Sequence, residues 1–298
     1  MNEAVQPEVV CFGEILWDLL PGGRSLGGAP ANAAFHFGQL GVRAALASSV
    51  GRDAQGDALL VRARQLGLAM DFIGCDPVRP TGSVRVDVDS TGQPHYRIAT
   101  DVAWDWIVLT PALVCAAVDA RAVVYGSLAL RGNSNRRALD RLLAVAPAAA
   151  LRVFDVNLRA PHDDLTLVSQ WACRANLIKT NLDEARRLSG EDSAERCARV
   201  LAQEAACPAV CVTDGARGAG LLWRDVWHWE PGHPVEVRDT VGCGDAFLAA
   251  LVAGLLRGHS PPQALAAATR LGEFVATQPG ATPVHPPDLK RALAARTA

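Results

Sequence analysis

Between residues 239 and 247 the chain reads Asp239-Thr240-Val241-Gly242-Cys243-Gly244-Asp245-Ala246-Phe247, two glycines and a carboxylate directly ahead of an apolar run. No charged residue occurs from 246 to 256, which predicts a helix apolar on all faces and therefore central. Its N-terminus falls at residues 242–245, where unpaired N–H groups and the positive end of the helix dipole suit an anion such as phosphate. Gly242 and Gly244 carry no Cβ and let that backbone approach the anion. A carboxylate repels such a ligand, so Asp245 is out of place unless it takes a proton from a hydroxyl that attacks phosphorus. It can equally be read as an acid favoured by the dipole, with the glycines serving the turn.

The elements that must position this stretch follow from the pattern. Residues 8–12 are a short apolar strand, and 14–20 read as a second strand leaving the main sheet, with Asp18 between Trp17 and Leu19. Asp18 is either solvated on an outer face or receives ligand hydroxyls. Gly27-Gly28-Ala29-Pro30-Ala31-Asn32 opens a helix, its Pro suited to the first turn. Residues 53–65 read as a helix capped by Asp53. Residues 81–88 and 93–99 are strand-like and flank Asp89-Ser90-Thr91-Gly92, a hairpin signal; with 14–20 they suggest a small β lid. Trp104-Asp105-Trp106 follows, where a Trp face can stack on a sugar or simply pack.

From residue 108 onward apolar strands alternate with helices, the pattern of a parallel sheet covered on both sides. Ligands of such sheets bind off the carboxyl ends of the strands. Three of those ends carry polar motifs: Asp155-Val156-Asn157-Leu158-Arg159, Asn181-Leu182-Asp183-Glu184, and Thr213-Asp214-Gly215-Ala216-Arg217-Gly218. Taken alone, Glu184 is an ordinary first-turn acid and the Gly215/Gly218 loop an ordinary hairpin turn.

Composition excludes several classes. The 298 residues are 50% apolar and 20% charged with a net charge of -2, which gives no electrostatic footprint for nucleic acid or an anionic membrane. No apolar run reaches the roughly 18 residues that span a bilayer, and residues 1–8 lack a signal-peptide pattern, so a cytoplasmic protein is expected. Eight cysteines occur without a Cys-x-x-Cys pair, which points to reduced thiols rather than a disulfide scaffold or zinc site. A P-loop Gly-Lys-Ser/Thr is absent, as is the Gly-x-Gly-x-x-Gly that a dinucleotide oxidoreductase needs after its first strand.

Asp-Thr-Val-Gly-Cys-Gly-Asp-Ala-Phe resembles the C-terminal signature of the PfkB, or ribokinase-like, carbohydrate kinases, usually Asp-Thr-x-Gly-Ala-Gly-Asp; Cys243 is the one departure. Gly-Gly-x-x-x-Asn at residues 27–32 is similar to the family's N-terminal signature, and the motifs run in family order from residue 13 to residue 281. The resemblance implies a ribokinase-like three-layer α/β/α fold with a mostly parallel sheet, one domain over residues 1–298, and a lid from segments 14–26 and 79–104. It implies an ATP-dependent kinase acting on a primary sugar hydroxyl, with Asp245 as base and the N–H groups of Gly242, Cys243 and Gly244 as anion hole. Asp18, Gly27, Gly28, Asn32 and Arg159 become sugar-binding candidates. Asn181 and Glu184 would organise Mg2+ and phosphate, and Thr213, Gly215 and Gly218 the nucleotide. A monovalent cation, K+, would lie against the backbone of Asp239, Val241 and Gly280.

Gly13-Glu14, Pro21-Gly22, the Gly-Gly-Ala-Pro-Ala-Asn motif and Val102-Ala103-Trp104-Asp105 look like fructokinases. Asp155-x-Asn157-x-Arg159 resembles the fructokinase-like and 2-keto-3-deoxygluconate kinase-like branches. Fructose is thus the first expectation; 2-keto-3-deoxygluconate, ribose, nucleosides, or a catalytically silent sugar-binding regulator are the alternatives. A homodimer through the exposed lid edge is a further expectation. Cys243, at a helix N-terminus, is expected to have a lowered pKa.

Overall fold

The computed structural model describes residues 6–20, 22–88 and 94–295. The expected turn at residues 89–92 lies outside them. In chain order the elements are β1 (Val9–Phe12), β2 (Leu16–Leu20), β3 (Gly23–Gly27), α1 (Ala29–Gln39), β4 (Ala44–Gly51), α2 (Ala54–Gln65), β5 (Ile73–Asp76), β6 (Ser83–Val88) and β7 (Pro94–Ile98). There follow α3 (Pro111–Val118), β8 (Ala122–Gly126), α4 (Asn133–Val145), β9 (Leu151–Asp155), α5 (Leu165–Ala172), β10 (Leu177–Asn181), α6 (Leu182–Ser189) and α7 (Ala194–Glu204). The chain closes with β11 (Ala209–Thr213), β12 (Gly218–Trp223), β13 (Val226–Pro231), α8 (Cys243–Leu256), α9 (Pro261–Ala276) and α10 (Pro287–Ala294).

Nine strands form one sheet in the order β13-β12-β11-β10-β9-β8-β1-β4-β5. β11 through β5 are parallel, and only β12 and β13 run antiparallel. Successive side chains of a strand point to opposite faces, and the core divides accordingly. Val9 and Cys11 of β1 join a cluster with α1, α2, α8 and α9, whereas Val10 and Phe12 join one with α3, α4, α5, α6 and α7. The result is the three-layer α/β/α arrangement.

The helices begin where their sequence dictates. Asp53 accepts the Gly56 N–H and caps α2, and Pro261 opens α9 behind Ser260. α8 starts at Cys243, three residues ahead of the apolar run, because Gly242 adopts a left-handed conformation (φ 78) and turns the chain into the helix at once. All its residues from Ala246 to Gly254 are buried.

The second sheet has the order β3-β2-β6-β7, with β2 and β6 parallel. It stands on a small cluster of Leu16, Val84, Val102, Trp104 and Leu128. Trp104 is fully buried there beneath the Arg131 guanidinium, 4.1 Å from its ring, so it packs rather than offering a face to a ligand. Arg131 also forms a buried pair with Asp105 at 2.7 Å and donates to Ala99 O at 2.6 Å. The exit of this sheet is thereby tied to the main body.

Several elements differ from the sequence reading. β2 begins at Leu16, leaving Glu14 and Ile15 in the crossing from β1. β3, β5, β13, α7 and α10 had no counterpart in it; β3 is Gly-Arg-Ser-Leu-Gly, a poor strand by propensity that is held by pairing with β2. Among the described residues no helix is long and apolar enough to cross a membrane.

Candidate active site

The two signature motifs meet at one hydrogen bond. Asn32, in the first turns of α1, donates from Nδ2 to Asp245 Oδ2 at 2.8 Å, across 213 residues of chain. α1 packs along α8, which carries Asp245 in its first turn. Asn32 is buried, and its Oδ1 has no hydrogen-bond partner. Asp245 is half-buried, and burial raises its pKa against the opposing pull of Asn32, Lys179 and Arg159.

Asp18 of β2 also feels the charge of Asp245. Its carboxylate occupies the space beside Gly27: a Cβ on Gly27 would sit 2.0 Å from Asp18 Oδ2. This glycine is thus needed for side-chain clearance across the β2–β3 ladder rather than for exposing a donor. Burial, with Asp245 adding to it and Arg159 opposing, pushes Asp18 up to about 6. Gly28 precedes α1 as its N-cap. Arg159 is exposed after β9, its Nη1 donating to Leu158 O at 3.1 Å, and its charge reaches both Asp18 and Asp245.

Lys179 and Asp155 belong to this site although the sequence reading gave them no role. Parallel register sets Lys179 of β10 directly beside Asp155 of β9, and Nζ donates to Asp155 Oδ1 at 3.1 Å. Both are buried. Burial works against the ammonium, but Asp155, Glu184 and Asp245 outweigh it and hold its pKa above the ordinary lysine value. Burial lifts Asp155 to about 6 against the pull of Lys179. A Cβ on Gly244 would lie 3.0 Å from Lys179 Nζ, which places this ammonium against the first turn of α8. A lysine in a strand otherwise buried was a usable signal, but its partner is fixed only by register.

The loop before α8 is clamped from the other side. A Cβ on Gly242 would come within 2.6 Å of Ala281 Cα, so close approach and positive φ both demand glycine there. Ala281 O accepts from His36 Nε2 at 2.9 Å, and His36 Nδ1 meets His285 Nε2 at 2.9 Å. Burial pushes these histidines down to about 4 and about 3, so the pair is neutral at pH 7. Asp239 joins the two loops, accepting Val241 N–H at 3.0 Å and Gly280 N–H at 3.1 Å. The three residues expected around a monovalent cation are therefore brought together.

Of the three N–H groups expected to form the anion hole, that of Cys243 also points back to Thr240 O at 3.3 Å. The expected acidity of the Cys243 thiol is overturned: burial, then the Asp239 and Asp245 carboxylates, pushes it up to about 11. Burial first, and then the two carboxylates, outweighs the helix dipole. At pH 7 this thiol is thus far less ionised than a free cysteine. Iodoacetamide is therefore expected to label the exposed Cys75, Cys115 and Cys173 well before Cys243; peptide mapping that finds Cys243 labelled as fast as those three would contradict this.

Asn181 and Glu184 form a reciprocal capping box at the start of α6. The Glu184 N–H donates to Asn181 Oδ1 at 2.9 Å, and its carboxylate accepts from Leu158 N–H at 2.8 Å, Thr180 Oγ1 at 3.2 Å and Asn181 N–H at 3.0 Å. A carboxylate offers about four lone-pair positions, so room remains for a water or an ion. Asn181 pairs in register with Thr213, which sets the two nucleotide-side motifs next to each other. Gly215 starts a one-turn 3₁₀ segment and Gly218 ends it, the latter leading into β12.

The family model for pfkB family carbohydrate kinases matches residues 9–288. Fructokinase-1 of Oryza sativa subsp. japonica is 30% identical over 310 residues, covering 95% of each chain. A fructokinase of Escherichia coli is 30% identical over 259 residues, covering 83% of this chain and 84% of its own. Among solved structures, a fructokinase double mutant of Vibrio cholerae O395 bound to fructose, ADP and potassium ion superposes with a TM-score of 0.80, at 24% identity, over 93% of this chain and 94% of that one. With the family model spanning nearly the whole chain and both signatures meeting at the Asn32–Asp245 contact, this chain belongs to the pfkB family of carbohydrate kinases and is a phosphotransferase that uses an alcohol group as acceptor.

Proposed function

We propose that this enzyme transfers the γ-phosphoryl group of ATP to the primary hydroxyl of fructose. The observation that carries the reading is the Asn32–Asp245 bond at 2.8 Å, because it puts a buried polar clamp on the carboxylate that stands at a helix N-terminus. Fructose as acceptor is supported by the relatives from rice and Escherichia coli.

In this mechanism Asp18, Asn32 and Arg159 hold acceptor oxygens, with Gly27 and Gly28 shaping that wall. Asp245 removes the hydroxyl proton as the oxygen forms its bond to the γ-phosphorus, and the bond to the bridging oxygen breaks, its electron pair leaving on ADP. A carboxylate whose pKa is raised by burial is a stronger base than one in water. The N–H groups of Gly242 and Gly244, with that of Cys243 shared, face the charge that develops on the phosphoryl oxygens. Lys179, against Gly244, supplies a further positive charge at the same place. Thr213, Gly215 and Gly218 border the rest of the nucleotide.

The carboxylates of Glu14, Asp18, Asp155, Glu184 and Asp245 outnumber Lys179 and Arg159 around this site, a balance that fits phosphates arriving with a divalent cation. Among the described residues no cluster of three or more His, Cys, Asp or Glu side chains forms a metal cage, and Mg2+ ordinarily binds through one or two carboxylates plus substrate phosphates. Asn181 and Glu184 would hold its hydration shell, and the ion would neutralise phosphate charge. The backbone at Asp239, Val241 and Gly280 would hold K+.

The test is ATP-dependent phosphorylation of fructose, ribose, 2-keto-3-deoxygluconate and adenosine, with Mg2+ and with or without K+. Fructose is expected to show the highest kcat/KM; a faster acceptor overturns the substrate assignment, and binding without turnover favours a silent regulator. Asp18→Ala is expected to lower kcat/KM for the sugar roughly 10- to 100-fold, chiefly through KM, as loss of a hydrogen bond to a charged group implies. An unchanged KM would remove Asp18 from the acceptor site.

A further inference from the structure

Glu14 is a buried carboxyl that the mechanism above does not use. It lies in the crossing between β1 and β2 and is only 4% exposed. One oxygen, Oε1, accepts the Ala29 N–H at 3.2 Å, the first residue of α1, whose N-cap Gly28 has no side chain to do so. A Cβ on Gly28 would lie 2.4 Å from the Glu14 carbonyl oxygen, so this crossing and the start of α1 are in direct contact. The other oxygen, Oε2, is buried without a hydrogen-bond partner. A carboxylate at this position is favoured by the dipole of α1 and disfavoured by burial.

The charges of Asp245 on α8 and Arg159 after β9 act on Glu14, and the same two act on Asp18 of β2. We propose that Glu14 is a positioning residue for Asp245, acting through the α1 turn that carries Asn32 and through its own charge. The inference rests on Asp245 being the base.

Burial, reinforced by Asp245, pushes Glu14 up to about 7. Below that pH Glu14 takes up a proton while still accepting the Ala29 N–H, and Asp245 is relieved of a neighbouring negative charge. Above it the Glu14 carboxylate raises the proton affinity of Asp245 and so strengthens the base. Two coupled carboxyls of this kind titrate as a pair.

Two measurements decide it. In the whole protein with 13C-labelled glutamate, the Glu14 carboxyl is expected to titrate near pH 7, and its midpoint to fall by about one unit in Asp245→Asn, where the like charge is gone. An unchanged midpoint overturns the coupling whether or not any sugar is a substrate. In the kinase assay with fructose, wild-type kcat is expected to rise through a step near pH 7. Glu14→Gln keeps an acceptor for Ala29 N–H and is expected to lose that step while unfolding within a few degrees of wild type. A Glu14→Gln profile of the same shape as wild type overturns the proposal. If wild type phosphorylates nothing, the base assignment fails on its own while the titration still judges the pair; if Glu14→Gln does not fold, the titration alone decides.

Discussion

Asp245→Asn is expected to lower kcat on the order of 10²–10⁴-fold, the range of a lost general base, while leaving sugar and nucleotide affinity within a few-fold. Asn at this position still presents an oxygen to Asn32 Nδ2, so the clamp at 2.8 Å survives and only proton acceptance is lost. Affinity measured by calorimetry beside steady-state turnover separates the two, and turnover near wild type would remove Asp245 as the base.

The same substitution carries a stability signature of opposite sign. Asp245 has a folded-state pKa above its unfolded one, so the native chain binds this proton more tightly and ionisation opposes folding. Stability is therefore full below the unfolded value and declines as pH rises through the folded one. Asp18, pushed up to about 6, and Glu14, pushed up to about 7, act in the same direction. Asp245→Asn should accordingly unfold at a higher temperature than wild type at neutral pH, the gap closing toward about pH 4, where carboxylates protonate in both states. An inactive protein that is more stable than the active one is the mark of a group kept for chemistry at the expense of folding.

The second large effect is expected at Lys179. Lys179→Met leaves Asp155 buried and unpaired, which costs about 3–5 kcal/mol, a large part of the roughly 5–15 kcal/mol that holds a domain folded. It also removes the ammonium 3.0 Å from the position of a Gly244 Cβ, so turnover falls as well. Adding Asp155→Asn should recover much of the stability but not the turnover, since the pair's structural and electrostatic roles then separate. Urea midpoints unaffected by Lys179→Met would show that the pair at 3.1 Å contributes nothing to folding.

Much of the site was legible because its motifs are local. A helix N-terminus with flanking glycines and an acid is written in consecutive residues, and so is the Gly-Gly-x-x-x-Asn turn into α1. The alternation of apolar strands and helices likewise fixed the layered fold and put polar motifs at strand ends. Weakly patterned edge elements escaped: β5 and β3 hold their place through pairing with β4 and β2 rather than through their own residues. For Trp104 both packing and stacking on a sugar were open from the sequence, and the Arg131 guanidinium that covers its ring decides for packing.

Glu14 and Asp155 stood in recognised motifs without an assigned role, and Lys179 stood in none. Each is a charged side chain in or beside an apolar strand, and its meaning depends on which strand or helix end lies next to it. By itself, then, the sequence determined the three-layer architecture, the family motifs and the candidate base, since periodicity, turn chemistry and helix ends act over a few residues. The tertiary structure alone decided that Asn32 holds Asp245 across 213 residues, that register pairs Lys179 with Asp155, and that the Cys243 thiol is weakly acidic. Those depend on distances and burial that only the packed chain defines, because a charge is set by what surrounds it in space.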